Sequence, residues 1–288
     1  MFNWSLKLRQ QTEYCVPQGP SFQRASPMHF SIGGTEISLR APRHNSHFAY
    51  KEALQPPKKC EYNHLMMKPA RKHSKRWLYH NLFMRSWSFN GPWFSGSLGE
   101  LTMRIALITP NEPDQHVSFF RPKAFENGAA DFLQYCYAKD IFEGAQEWLA
   151  PVDWEAITSW PSVAATFYVR PYSGNASAPN RYFLFPVADK HFIEVHFNLH
   201  RNGRGDQDTK DKRVSLSTIE QLSTDIMNSI QIKLSPEAQA QQAKALEGCE
   251  DASLSVDFPP LKWTTPEQDA KYKRYLQDEL RTQEILNS

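Results

Sequence analysis

HFIEVHFNLHR, residues 191–201, alternates along its whole length. His191, Ile193, Val195, Phe197 and Leu199 fall on one side of an extended chain, and Phe192, Glu194, His196, Asn198 and His200 on the other. The stretch therefore reads as a strand whose apolar side faces a core, with His191 assigned to packing. The polar row should project from the opposite face, same-side neighbours lying roughly 7 Å apart along the strand. Residues 181–187 supply an antiparallel neighbour, joined to it through Ala188-Asp189-Lys190.

Other segments repeat the period of two. In MHFSIGGTEISL, residues 28–39, Gly33-Gly34 suits a primed two-residue turn that needs positive φ at both positions. That turn sets Ile32 opposite Thr35, Phe30 opposite Ile37 and Met28 opposite Leu39, which collects the apolar side chains on one face. Leu101, Met103, Ile105 and Leu107 alternate with Thr102, Arg104 and Ala106, and Phe83, Trp87 and Phe89 give the preceding strand a similar face. Residues 163–172 return to alternation, and 117–120 read as a further short strand. Two stretches follow three-and-four spacing instead: one after Pro122, continued through Ile141, Ala145, Trp148 and Leu149 up to Pro151, and one opened by a capping box at Ser217 and Glu220. A charged C-terminal helix is expected from Pro266 to about 286.

These elements predict an α+β fold, a mainly antiparallel twisted sheet whose apolar face is packed by the two amphipathic helices. Residues 1–27 read as an N-terminal arm, 28–234 as the α+β core domain, and 235–288 as a polar segment and C-terminal helix. The 288 residues, 40% hydrophobic and 13% aromatic, are enough for a substantial core. With 33 Lys and Arg against 31 Asp and Glu, the formal charge of +2 makes no global case for nucleic acid or an anionic membrane. The first fifteen residues lack the apolar run of a secretory signal, and no segment approaches a membrane span, so a cytoplasmic location without a membrane partner is expected. Four widely spaced cysteines, Cys15, Cys60, Cys136 and Cys249, read as free thiols.

Motifs for chemistry are sparse. There is no GxSxG elbow, phosphate loop, HExxH or GxGxxG, no cofactor is expected, and no catalytic residue is assigned. Glu194, His196 and His200 could serve a metal- or histidine-dependent hydrolase. Three collinear positions cannot converge on one metal without ligands from a neighbouring strand, so no metal site is assigned. The same row, with Asn198, suits contact with a protein. Trp93 and Phe94, on a Gly/Pro/Ser-rich turn, are expected to be an exposed aromatic pair, and Arg201 and Arg204 open the charged connection RNGRGDQDTKDKR. A third possibility is nucleic-acid binding through Lys58–Arg76, where seven Lys/Arg face one acid, Glu61.

FSIGGTEISLRAP (30–42) and SWSFNGPWFSGSLGELTMRIALI (86–108), followed by a helix and an antiparallel pair, resemble a group of bacterial cytoplasmic proteins encoded beside type VI secretion or polymorphic-toxin effectors. The resemblance implies an immunity protein, which binds a cognate toxin and occludes its active site without catalysis.

Overall fold

The computed structural model describes residues 13–46, 54–55, 58–62, 67–71, 74–92, 94–172, 177–203 and 205–287. In chain order the strands are β1 (Ser26–Ile32), β2 (Thr35–Ala41), β3 (Lys59–Cys60), β4 (Lys68–Arg71), β5 (Ser74–Asn90) and β6 (Ser97–Pro110). Helix α1 (Pro122–Tyr137) leads to β7 (Ile141–Phe142), β8 (Ala145–Gln146), β9 (Trp148–Ala156), β10 (Ala165–Pro171), β11 (Asn180–Ala188) and β12 (His191–Arg201). The chain ends with α2 (Gln207–Asp211), α3 (Ser217–Asn228), β13 (Gln231–Lys233), α4 (Pro236–Leu246) and α5 (Pro266–Asn287).

The fold is α+β. A seven-stranded antiparallel sheet has the order β4-β5-β6-β12-β11-β10-β9. It is two meanders, β4-β5-β6 and β9-β10-β11-β12, whose final strands meet at the centre; α1 links them. This puts β12 between β6 and β11, hydrogen-bonded on both sides along its length. A second sheet, β13-β2-β1-β3, is built on the glycine hairpin, whose register is Met28↔Leu39, Phe30↔Ile37 and Ile32↔Thr35. Gly33 and Gly34 take φ of 50° and 79°, the positive values that a primed turn requires.

Both faces of the large sheet are buried, which the single-face expectation missed. On one face, Phe30, Ile37 and Leu39 of the small sheet and Ile219, Leu222 and Ile226 of α3 pack against Trp87, Met103, Val195 and Phe197. On the other, Phe125, Ala129, Phe132 and Leu133 of α1 pack against Ala106, Ile108, Phe167, Leu184 and Phe192. The two amphipathic helices therefore lie on opposite faces. Phe192 and Glu194, even-numbered β12 residues that alternation assigned to the polar side, face a second core, and only the apolar density of their neighbours across β6 and β11 could have revealed it.

Several local expectations also change. Residues 117–120 form no strand but an irregular loop that turns at 119–120, because Phe119 N–H donates to the Asp189 carbonyl and Lys190 Nζ donates to the carbonyls of Asp114 and Val117, tying the loop to the β11–β12 turn. The helical spacing after Tyr137 gives way to the β7–β8 hairpin and β9; Glu143 and Gly144, with φ of 47° and 95°, make its turn. Leu216 is the N-cap of α3 and Ser217 its first residue, whose N–H is taken by Ser215 Oγ at 3.2 Å. The Gln/Ala-rich segment is helix α4, capped by Ser235 accepting from Ala238 N–H. Of the supposed arm, Cys15 bonds to the 213–215 segment and Gln18 to Asn90, so residues 13–27 are docked on the core. Among the described residues no helix is long and apolar enough to cross a membrane.

Candidate binding site

Strand β12 changes chemical character along its length, and the elements around it change in step. Phe192, near its start, lies within 5.5–6.4 Å of the rings of Trp77, Phe119, Phe125 and Phe132, beneath α1. Two residues on, Glu194 is 1% exposed. Arg104, opposite His196 on β6, reaches diagonally, and its Nη2 donates to both Glu194 oxygens at 3.1 and 3.0 Å. Burial pushes the Glu194 carboxyl up while Arg104 pulls it back, and the carboxylate holds the guanidinium above its ordinary value. Arg104 also lies over the Tyr79 ring, 5.8 Å from its centroid.

At the C-terminal end of α1 the Tyr137 hydroxyl meets that of Tyr182, and burial pushes both phenols up, so both stay neutral. Tyr182 stacks on His196 at 4.7 Å and on Phe167 at 5.4 Å, and Phe167 stacks on Trp154 at 5.6 Å. One ring from each of β9, β10, β11 and β12 thus forms a ladder across the sheet. His196 Nε2 is 2.8 Å from Asn180 Oδ1, which also accepts from Asn198 Nδ2 at 2.9 Å. A carboxamide oxygen only accepts, so Nε2 carries the imidazole proton. Burial first, and the Arg104 charge second, push the His196 pKa well below its ordinary value, leaving the ring neutral.

Past this point the row opens. His196 and Asn198 are half-buried and His200 is exposed. Toward β5 the strip continues through the Ser86 and Thr102 hydroxyls, 2.9 Å apart, and through Glu100, which accepts from Ser46 at 3.0 Å and Thr102 at 3.4 Å. Burial and Lys210 lower the His200 pKa, against an upward pull from Glu100.

The expected residues divide accordingly. Glu194, His196, Asn198 and His200 do share one row, but Glu194 belongs to the core rather than to a solvent-facing surface. Arg201 is 4% exposed and points to the other side; its Nη1 donates to Asp211 and the Val214 carbonyl and its Nη2 to Gln207 at 2.7 Å, clamping the following loop. It cannot face a partner while so placed. Phe94 is 51% exposed at φ 59° on the β5–β6 turn, at the end of the sheet where His200 lies. Trp93 and Arg204 lie outside the described residues. The basic run is split between two sheets: Lys59 lies on β3, Lys68 on β4, and Arg76 on β5 pairs with Asp131. Lys72 and the side chains of Arg71 and Lys75 lie outside the description.

Arg104, Asn180 and Tyr182 hold the site together and were not singled out in the sequence. The available signal was Arg104, one charge in the apolar run from Leu101 to Ile108. Among the described residues no group of three or more His, Cys, Asp or Glu side chains could hold a metal ion. A cavity of about 1000 Å³ lies elsewhere, at the apolar end beside Trp77, Phe119 and the start of α1. The molecule is thus an α+β protein with a polar strip at one end of its central sheet. No protein-family model, curated protein or solved structure matches the chain.

Proposed function

We propose that this chain is a non-catalytic protein-binding module, an immunity protein that neutralises a cognate bacterial toxin by occluding its active site, acting in the cytoplasm. One observation carries the reading: beyond the end of α1 the even-numbered row of β12 is a strand-borne strip of polar groups grading from buried Glu194 through half-buried His196 and Asn198 to exposed His200, while residues 44–46 cover its β5 side. Strands hold such groups at low entropic cost, which favours recognition. Phe94 at the same end adds an exposed apolar anchor.

The same bonds weigh against the hydrolase reading. Glu194 is buried with both oxygens on Arg104, so it has none free for a substrate, and His196, its Nε2–H held by Asn180, could offer only Nδ1. Co-expression with the toxin encoded beside the gene tests the proposal. Growth should be restored, and the Asn198→Ala/His200→Ala pair should weaken the complex by about 1–3 kcal/mol. No rescue by the unmodified chain rejects the immunity role. A His196→Ala variant that abolishes a measurable hydrolysis while leaving binding intact would favour the enzyme.

A further inference from the structure

Two arginines among the described residues are less than a tenth exposed, Arg201 and Arg181. Arg201 has the Asp211 carboxylate. Arg181, on β11, has no carboxylate within ion-pairing distance among the described residues. Its Nη1 donates to Thr224 Oγ1 at 2.6 Å and to Ser223 Oγ at 3.3 Å, both on α3, and its Nε is buried without a partner. Ser223 gives its own proton to the Glu220 carbonyl at 2.7 Å, whereas the Thr224 hydroxyl proton has no described acceptor.

Cross-strand from Arg181 is Tyr168, and two guanidiniums lie over its ring, Arg181 at 5.4 Å and Arg170 at 5.0 Å from the centroid. Arg170 is half-exposed and bonded to Asp153 at 2.6 Å. Glu220, one turn before Thr224, is near enough to act on the Tyr168 phenol but makes no bond to Arg181. The Tyr168 ring thus carries two guanidiniums, that of Arg170 paired with Asp153 and that of Arg181 bonded to hydroxyls, with the Thr224 hydroxyl alongside. Burying a guanidinium against two hydroxyls and a ring face leaves much of its desolvation cost uncompensated, while its planar fork matches an oxyanion.

We propose that Arg181, with Thr224 and Arg170 at its rim, seats a small oxyanion, phosphate in preference to carboxylate. Two cations and a hydroxyl approaching from different elements suit a tetrahedral group of charge about −1.5 to −2 better than a planar monoanion. The site lies between β10, β11 and α3, on the opposite face of the sheet from the polar strip, and does not depend on the immunity reading.

Calorimetric titration of inorganic phosphate into the full chain, at constant ionic strength, tests it against acetate. Phosphate should bind saturably with one site, and acetate about tenfold more weakly. Arg181→Lys, which keeps the charge and loses the fork, should weaken phosphate by about tenfold, and Arg181→Met should abolish binding. Absence of saturable phosphate binding, or wild-type affinity in Arg181→Met, overturns the proposal, and equal affinity for acetate overturns the preference. If Arg181→Met does not fold, Thr224→Val decides: a several-fold loss supports the site, and unchanged affinity refutes it.

Discussion

The two ends of β12 are solved by different physics, although they belong to one strand and one alternating pattern. At the start, Phe192 is buried by rings from β5, α1 and the loop before it, and contributes through area and packing. Toward the end, Glu194 and His196 are held by directional bonds to Arg104 and Asn180, and the helix that covers Phe192 has run out. A packed ring tolerates another hydrophobe of similar size. A buried carboxylate tolerates almost nothing unless its partner changes too, and the consequences can be measured.

Phe192→Ala should be the most damaging single change at the apolar end, costing about 3–5 kcal/mol in urea denaturation, because a ring enclosed by four others leaves a cavity. Arg104→Ala should cost a similar amount, about 3–5 kcal/mol, by leaving Glu194 buried and unpaired. The two ends are separated by a second substitution: Arg104→Met with Glu194→Leu should regain most of that loss, since replacing a buried pair with apolar groups is often neutral. A double variant as unstable as Arg104→Ala would show that the pair is not the source of the penalty. Asn180→Ala should cost about 1–3 kcal/mol, by removing the acceptor of both His196 and Asn198.

The pH response sharpens the contrast further. His196 has a folded pKa depressed well below its ordinary value of 6.5, so the unfolded chain binds a proton that the folded chain refuses. Its stabilising contribution is complete above the unfolded pKa and is lost as pH falls below it toward the folded value. Replacing it by Gln should flatten the stability profile between pH 7 and about 5, and an unchanged profile would place the acid sensitivity elsewhere. The smallest effect is expected at the exposed end, where His200→Ala should alter stability by less than about 0.5 kcal/mol while still weakening a partner that docks there.

Legibility in the sequence followed the range of the forces involved. The Gly33-Gly34 hairpin was readable to the residue, because backbone conformation at two glycines and the apolar pattern around them specify the same register. Pairing of residues 181–187 with 191–200 and the helices after Pro122 and Ser217 were readable for the same local reason. The β7–β8 hairpin was not: Ile141, Ala145 and Trp148 satisfy helical spacing, and only a turn through Glu143 and Gly144 breaks it. Of the candidate site, the shared row of Glu194, His196, Asn198 and His200 could be read from alternation. The partners that fix its chemistry, Arg104 on β6 and Asn180 on β11, come from strands 90 and 18 residues away from the side chains they hold.

The sequence by itself determined the antiparallel character of the fold, the strand at 191–201 and the division of its side chains into two rows, because a period of two is a property of the extended backbone alone. Which row meets water was decided by tertiary structure. α1 lies on the face opposite α3 and ends at Tyr137, so the even-numbered row is dry at Phe192 and Glu194 and opens at His200. Burial depends on what another element covers, and the strand's own residues carry no record of where that covering stops.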